Sequence, residues 1–146
     1  MYELTKFCER LSELMFYDDN STNEKLGEKL GFGTSTVSLW RTGKRTPNLT
    51  NLIRLADYFN CSLDFLLGRS DDDSKITAQP LFPFHERLSH ILNERELSWY
   101  KVVKDTRIAK SNMQDWRKGC SPLLPMLIEL ADYLDVTIDY LVGRER

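Results

Sequence analysis

Thr22–Gly43 reads TNEKLGEKLGFGTSTVSLWRTG, and its reading decides the fold. Two short helical patterns flank a glycine-bearing corner. Leu26 and Leu30 share one face of the first, and Val37 and Trp40 one face of the second, at the three- and four-residue spacings of an α-helix. Between them, Gly31-Phe32-Gly33 supplies a residue free to take positive φ and an apolar plug. The stretch occurs again. Ser98–Gly119, SWYKVVKDTRIAKSNMQDWRKG, carries Val102, Ile108, Met113 and Trp116 at the matching places.

The repetition extends outward from these two stretches. LIRLADYFNCSLDFLLGR (residues 52–69) recurs as LIELADYLDVTIDYLVGR (127–144), and FCERLSELM from Phe7 recurs as FHERLSHIL from Phe84. The offset falls from 77 to 76 to 75 along the chain, as two single-residue deletions in turns would produce. A whole folding domain is therefore duplicated. The expected organisation is a first domain over 1–69, a linker over 70–83 and a second domain over 84–146. Each copy reads as about five helices, and no run shows sustained strand alternation, so the fold class is all-α.

Units of roughly 60 to 65 residues lie near the lower limit for a self-sufficient core. Phe7, Trp40, Leu55, Phe84, Trp116 and Leu130 are the expected anchors. Thr22, Ser62 and Thr137 are expected N-caps. Thr46-Pro47 and Ser121-Pro122 fit a cap followed by proline at the first helical position, with Asn48 the alternative cap in the first copy. The stretch SDDDSKITAQPLFP has a linker's acidic, proline-bearing composition, and Leu81 and Phe82 are expected to dock on one domain.

Composition narrows the function. No apolar run approaches the ~20 residues that span a bilayer. The N-terminus lacks a basic segment followed by a long apolar one, so a cytoplasmic protein without membrane attachment is expected. Cys8, Cys61 and Cys120 are widely separated and are expected to be buried small hydrophobes. With His85 and His90 the only histidines, no zinc spacing exists, and no metal or cofactor is expected. These two lie about 140° apart around a helix and do not converge. No nucleophile–base pair or phosphate loop appears, so no enzyme is expected; Asp57/Asp64 and Asp132/Asp139 recur at equivalent places and read as helix ends and caps.

The net charge of −2 argues against a nucleic-acid partner, but its distribution argues for one. Thr22–Thr50 carries Lys25, Lys29, Arg41, Lys44 and Arg45 against Glu24 and Glu28, whereas Asn51–Asp73 is net acidic. Ser98–Ser121 carries six Lys or Arg against Asp105 and Asp115. Positive charge thus gathers on the two helix–turn–helix stretches.

VSLWRTGKRTPNLTNLIRLADYFNCSLDFLLG resembles the phage Cro/repressor (XRE-like, lambda-repressor-like) type of helix-turn-helix domain. The marks are Trp-x-x-Gly at the end of the third helix, a proline soon after, a Leu-Ala-centred fourth helix and a closing glycine. The second copy carries the same marks. The resemblance implies double-stranded DNA as partner, read by the N-terminal part of the third helix. In the first domain it places Gly33 at that helix's cap, Thr34 and Ser35 near base edges, and Ser38 and Leu39 further along the groove. Asn23, Thr42, Lys44 and Arg45 fall on the phosphate backbone. In the second domain the matching positions are Ala109, Lys110, Ser111, Asn112, Gln114 and Asp115, with Arg117 and Lys118 near phosphate.

Four departures stand out. Leu39 and Asp115 occupy a place that often holds a long polar or basic residue. Trp99 replaces a polar residue at the start of the second helix. Val103 stands where Gly27 allows a close helix crossing, and Arg107 stands where Gly31 turns the corner, at a cost of roughly 1 kcal/mol if it takes positive φ.

The expected function is a sequence-specific transcriptional regulator of bacterial or phage type, a repressor that occludes a promoter. Two recognition helices per chain would address two half-sites of a pseudo-palindromic operator, about 34 Å apart; a linker of about 14 residues reaches some 45 Å. A homodimer through the Phe65/Leu66 or Tyr140/Leu141 face is the alternative arrangement. The rival function is a protein-interaction module that binds another repressor or a toxin, favoured by the low net charge and Asp115.

Overall fold

A computed structural model describes residues 4–19, 21–76 and 83–145. The chain divides into two compact units, Met1–Ile76 and Thr77–Arg146. The first contains α1 (Leu4–Tyr17), α2 (Asn23–Leu30), α3 (Thr34–Arg41), α4 (Leu49–Phe59) and α5 (Leu63–Leu66). The second contains α6 (Phe84–Glu94), α7 (Trp99–Asp105), α8 (Lys110–Arg117), α9 (Leu124–Leu134) and α10 (Ile138–Val142). No strand occurs among the described residues, so the all-α reading with two tandem helix-turn-helix domains holds.

Each core forms where the apolar stripes of the helices meet. Phe7, Leu11, Leu26, Val37, Leu52, Leu55 and Leu66 are fully buried in the first unit. Leu88, Val102, Leu127, Leu130, Ile138 and Leu141 take the same part in the second. Trp40 and Trp116 are buried anchors, as expected, whereas Phe84 is only half-buried.

Local chemistry sets most helix starts. Thr22 accepts from the Lys25 N–H, Ser62 from Phe65 and Thr137 from Tyr140. Asn48, whose side chain accepts from the Asn51 N–H, caps α4, so Thr46-Pro47 lies outside the helix. Ser121-Pro122 is likewise not the start of α9. Leu123 holds the cap position without a side-chain acceptor, and Pro125 stands in the first turn, where a missing N–H costs nothing.

The N-terminal part of the acidic stretch is tied to the first unit. Asp71 pairs with Arg10 at 2.6 Å, Lys75 Nζ donates to the Phe59 carbonyl, and the Ile76 N–H donates to the Asn60 carbonyl. The expected docking of Leu81 and Phe82 falls outside the described residues.

Two further expectations need correction. Among the cysteines, Cys61 is buried, but Cys8 is only half-buried and Cys120 is exposed, in the turn that follows α8. Of the Phe65/Leu66 and Tyr140/Leu141 faces offered for a homodimer, only Tyr140 keeps part of its surface exposed. Phe65, Leu66 and Leu141 are buried within their own units. The Arg10 guanidinium lies 4.1 Å above the Phe65 ring and that of Arg87 4.6 Å above Tyr140, where Arg87 also donates to the Tyr140 carbonyl.

Candidate nucleic-acid interface

In the first unit the candidate interface is built by fixing one side of α3 and leaving the other open. Val37 and Trp40 are buried, and the Trp40 ring meets Phe32 edge-on, with centroids 4.8 Å apart. Cys8 Sγ donates to the Trp40 carbonyl from α1. Gly33 precedes the helix in extended conformation and offers no side-chain acceptor, so the first-turn amides remain open. Thr34 and Ser35 are exposed on that turn; Ser38 and Leu39 are half-buried further along.

The flanking cations are held by backbone geometry. The Lys44 and Arg45 N–H groups both donate to the Leu39 carbonyl, at 3.0 and 3.2 Å, and their side chains are exposed. Thr42 Oγ1 is spent on the Ser38 and Leu39 carbonyls. Asn23 begins α2, and its Oδ1 accepts from Arg41 Nη1 at 2.8 Å, while Arg41 Nε donates to Ser12 Oγ. Arg41 therefore commits the acceptor end of the Asn23 amide and leaves its donor end. Sequence reasoning missed this pairing, because nothing in the spacing of residues 23 and 41 announces it. Asn23, Thr34 and Arg41 line one open depression of about 660 Å³, together with Ser12 and Phe16.

In the second unit, Trp116 is buried and meets Phe84 edge-on at 5.2 Å. Lys110, Ser111, Gln114, Asp115, Arg117 and Lys118 are exposed. Asn112 is half-buried, and its Oδ1 accepts from the Ala109 N–H at 2.9 Å, so its side chain caps α8. Where α2 starts with Asn23, α7 starts with Trp99, stacked face to face on His85 with centroids 5.1 Å apart. His85 Nε2 is shut off from solvent and has no hydrogen-bond partner among the described residues. Burial pushes the imidazole pKa down, Arg117 adds to this, and Glu86 opposes it.

The two corners differ. In the first, Gly31 is left-handed (φ 79°), and the Gly31 and Phe32 N–H groups converge on the Gly27 carbonyl. A Cβ on Gly27 would lie 2.4 Å from the Phe32 carbonyl oxygen, so this corner requires glycine there. In the second, Arg107 does not take positive φ and so does not bear that cost; the left-handed non-glycine residues among those described are Asp19, Asn60, Glu96 and Asp135. Helix α7 ends one position earlier, and Thr106 is extended. Thr106 Oγ1 donates to the Val102 carbonyl and accepts from the Ile108 N–H, and Glu129 accepts from the Arg107 N–H at 2.7 Å. Val103 is accommodated half-buried beside this open turn.

Comparison with known proteins agrees with this architecture. Residues 20–66 match the helix-turn-helix family, and residues 87–145 match the Cro/C1-type HTH DNA-binding domain. The chain is 33% identical over 82 residues to the uncharacterized HTH-type transcriptional regulator YobD of Bacillus subtilis, covering 56% of this chain and 72% of that one. It is 32% identical over 54 residues to the HTH-type transcriptional regulator ImmR of the same organism, covering 37% of this chain and 42% of that one. No solved structure matches. Among the described residues, no helix is long and apolar enough to cross a membrane. The chain belongs to the Cro/C1-type HTH transcriptional regulators, as a DNA-binding regulator with two such domains in tandem.

Proposed function

We propose that this regulator is a cytoplasmic repressor, whose α3 and α8 each enter a major groove amino end first and which occludes a promoter. The observation that carries this reading is the exposed first turn of both helices above a Trp-anchored buried side. Thr34 and Ser35 hydroxyls donate or accept at base edges, with Ser38 behind them, and Leu39 packs on a thymine methyl. In the second unit Lys110 reads guanine, Gln114 reads adenine, and Asp115 accepts from a cytosine amino group. Ser111 lies beside Lys110, while Ala109 and Gly33 let the backbone approach closely.

Asn23 donates to phosphate through its free amide hydrogens, and Lys44, Arg45, Arg117 and Lys118 neutralise phosphates on either side. Thr42 adds no free hydroxyl and contributes position only. Two readers in one chain address the two halves of a pseudo-palindromic operator without a second copy.

The test is the salt dependence of duplex binding by Lys44→Ala/Arg45→Ala. Affinity should fall for all sequences alike, and the log–log salt slope should become shallower by about 2, one counterion set per lost phosphate contact. An unchanged slope would remove these residues from the interface.

A further inference from the structure

The end of α1 carries two aromatic rings that the fold does not use. Phe16 is 63% exposed and Tyr17 83%, and they meet only edge-to-face, with centroids 5.2 Å apart. The neighbouring chain is well fixed: Met15 is buried, the Ser21 N–H donates to its carbonyl, and Asp18 accepts from both Ser21 Oγ and the Tyr58 hydroxyl. The rings are therefore displayed from a firm platform.

The second unit is an internal control. Its residues equivalent to Phe16 and Tyr17 are Asn93 and Glu94, both exposed, and Glu94 pairs with His90. The same fold thus forms with polar side chains at this place. Exposed aromatic surface reappears elsewhere in that unit. Tyr100, 76% exposed, occupies the position of Glu24 in the first turn of α7. In the first unit Glu24 and Phe16 line the same depression. One rim of each domain thus carries an exposed aromatic ring, supplied by different helices.

The location identifies the occupant. Phe16 shares its depression with Asn23 and Thr34, assigned above to phosphate and to the groove, and with Arg41, which holds the Asn23 amide. A surface with donors at one end and an apolar ring at the other matches a sugar–phosphate unit, whose deoxyribose carbons need apolar contact beside a charged phosphate. We infer that Phe16, flanked by Tyr17, packs on the deoxyribose backbone of duplex DNA next to the phosphate held by Asn23, and that Tyr100 does so in the second unit. This inference rests on the repressor reading above and adds to it an apolar, salt-independent contact, supplied in the first unit by α1, outside the helix-turn-helix.

The full chain with Phe16→Asn, the residue the second unit carries there, tests it. Duplex affinity is measured by fluorescence anisotropy across a salt series, beside thermal melting and sedimentation. The expected result is a loss of about tenfold, the worth of partly burying one phenyl ring, with a salt slope parallel to that of the parent protein because no counterion is involved. Phe16→Leu, which keeps an apolar side chain, should retain most of the affinity, and Tyr100→Ser should lose a similar amount. Unchanged affinity in Phe16→Asn overturns the inference. So does a changed sedimentation coefficient with unchanged affinity, which would assign the rings to a protein contact. Failure of the parent protein to bind any duplex would strike the repressor reading itself, a distinguishable outcome.

Discussion

The two corners solve one problem with opposite charges. At the first, helix α2 ends on a left-handed glycine and its last carbonyls face outward; Arg54, on α4, donates to the Leu30 carbonyl and lies over the Phe32 ring. At the second, α7 stops early and an N–H faces outward; Glu129, the residue equivalent to Arg54 on α9, accepts from it. A cation suits a row of carbonyls and an anion suits a free amide. The side chain on the fourth helix therefore matches the backbone conformation of the corner it meets. The tyrosines do similar work in both units: Tyr58 donates to Asp18 on one side and Tyr133 to Asp105 on the other.

The largest expected difference between the units lies in their buried ion pairs. Asp139 and Arg144 are both 1% exposed, whereas Asp64 and Arg69 are 9% and 26% exposed. Arg144→Met removes the buried guanidinium that faces the Asp139 carboxylate and should cost about 3–5 kcal/mol, and Arg69→Met, in the more exposed pair, only about 1 kcal/mol. Hydrogen exchange, read unit by unit, checks this; equal losses would erase the distinction.

Next comes the corner itself. Gly27→Val, which copies Val103 into the first unit, drives a Cβ to 2.4 Å from the Phe32 oxygen and should destabilise that unit by about 3 kcal/mol. At the matching place in the second unit, Val103→Ala removes two methyl groups from a half-buried side chain and should cost about 1 kcal/mol. Thermal and denaturant unfolding measure both. A mild Gly27→Val would show that the first corner can open as the second does.

The smallest effect is a pH dependence confined to the second unit. Folding lowers the His85 pKa, so the unfolded chain binds more protons around the ordinary histidine value of about 6.5. The stability that goes with neutral His85 is complete above that value and is lost as pH falls through the folded pKa. His85→Phe should flatten the profile, measured by exchange protection of α7 between pH 7.5 and about 5. Protection that rises on acidification would reverse the assignment. Cys8, the equivalent residue in the first unit, holds its proton through this range, since burial raises its pKa.

What the sequence made legible was local. The helix spacing and the caps at Thr22, Ser62 and Thr137 depend on neighbours within a few positions, and these hold. Two of the errors came from partners far along the chain. Arg107 escapes positive φ because Thr106 and the distant Glu129 satisfy an open turn. The apolar face of α5 reads as an open interface until Arg10 is seen stacked on Phe65. In the candidate interface it was the resemblance that put Thr34, Ser35 and Lys110 on the first turns of the third helices, where they are exposed; it could not pair Asn23 with the distant Arg41, nor show that the Asn112 side chain is spent on the Ala109 N–H.

The central claim, that the amino ends of α3 and α8 read bases, is tested most directly by selecting duplexes from a random pool with the full chain and with Lys110→Ala. The account predicts an enriched motif with two halves, and a loss of preference for guanine at one position of one half when Lys110 is removed, at a cost of about 1–3 kcal/mol there. No enrichment at low salt, with both units folded, would contradict it.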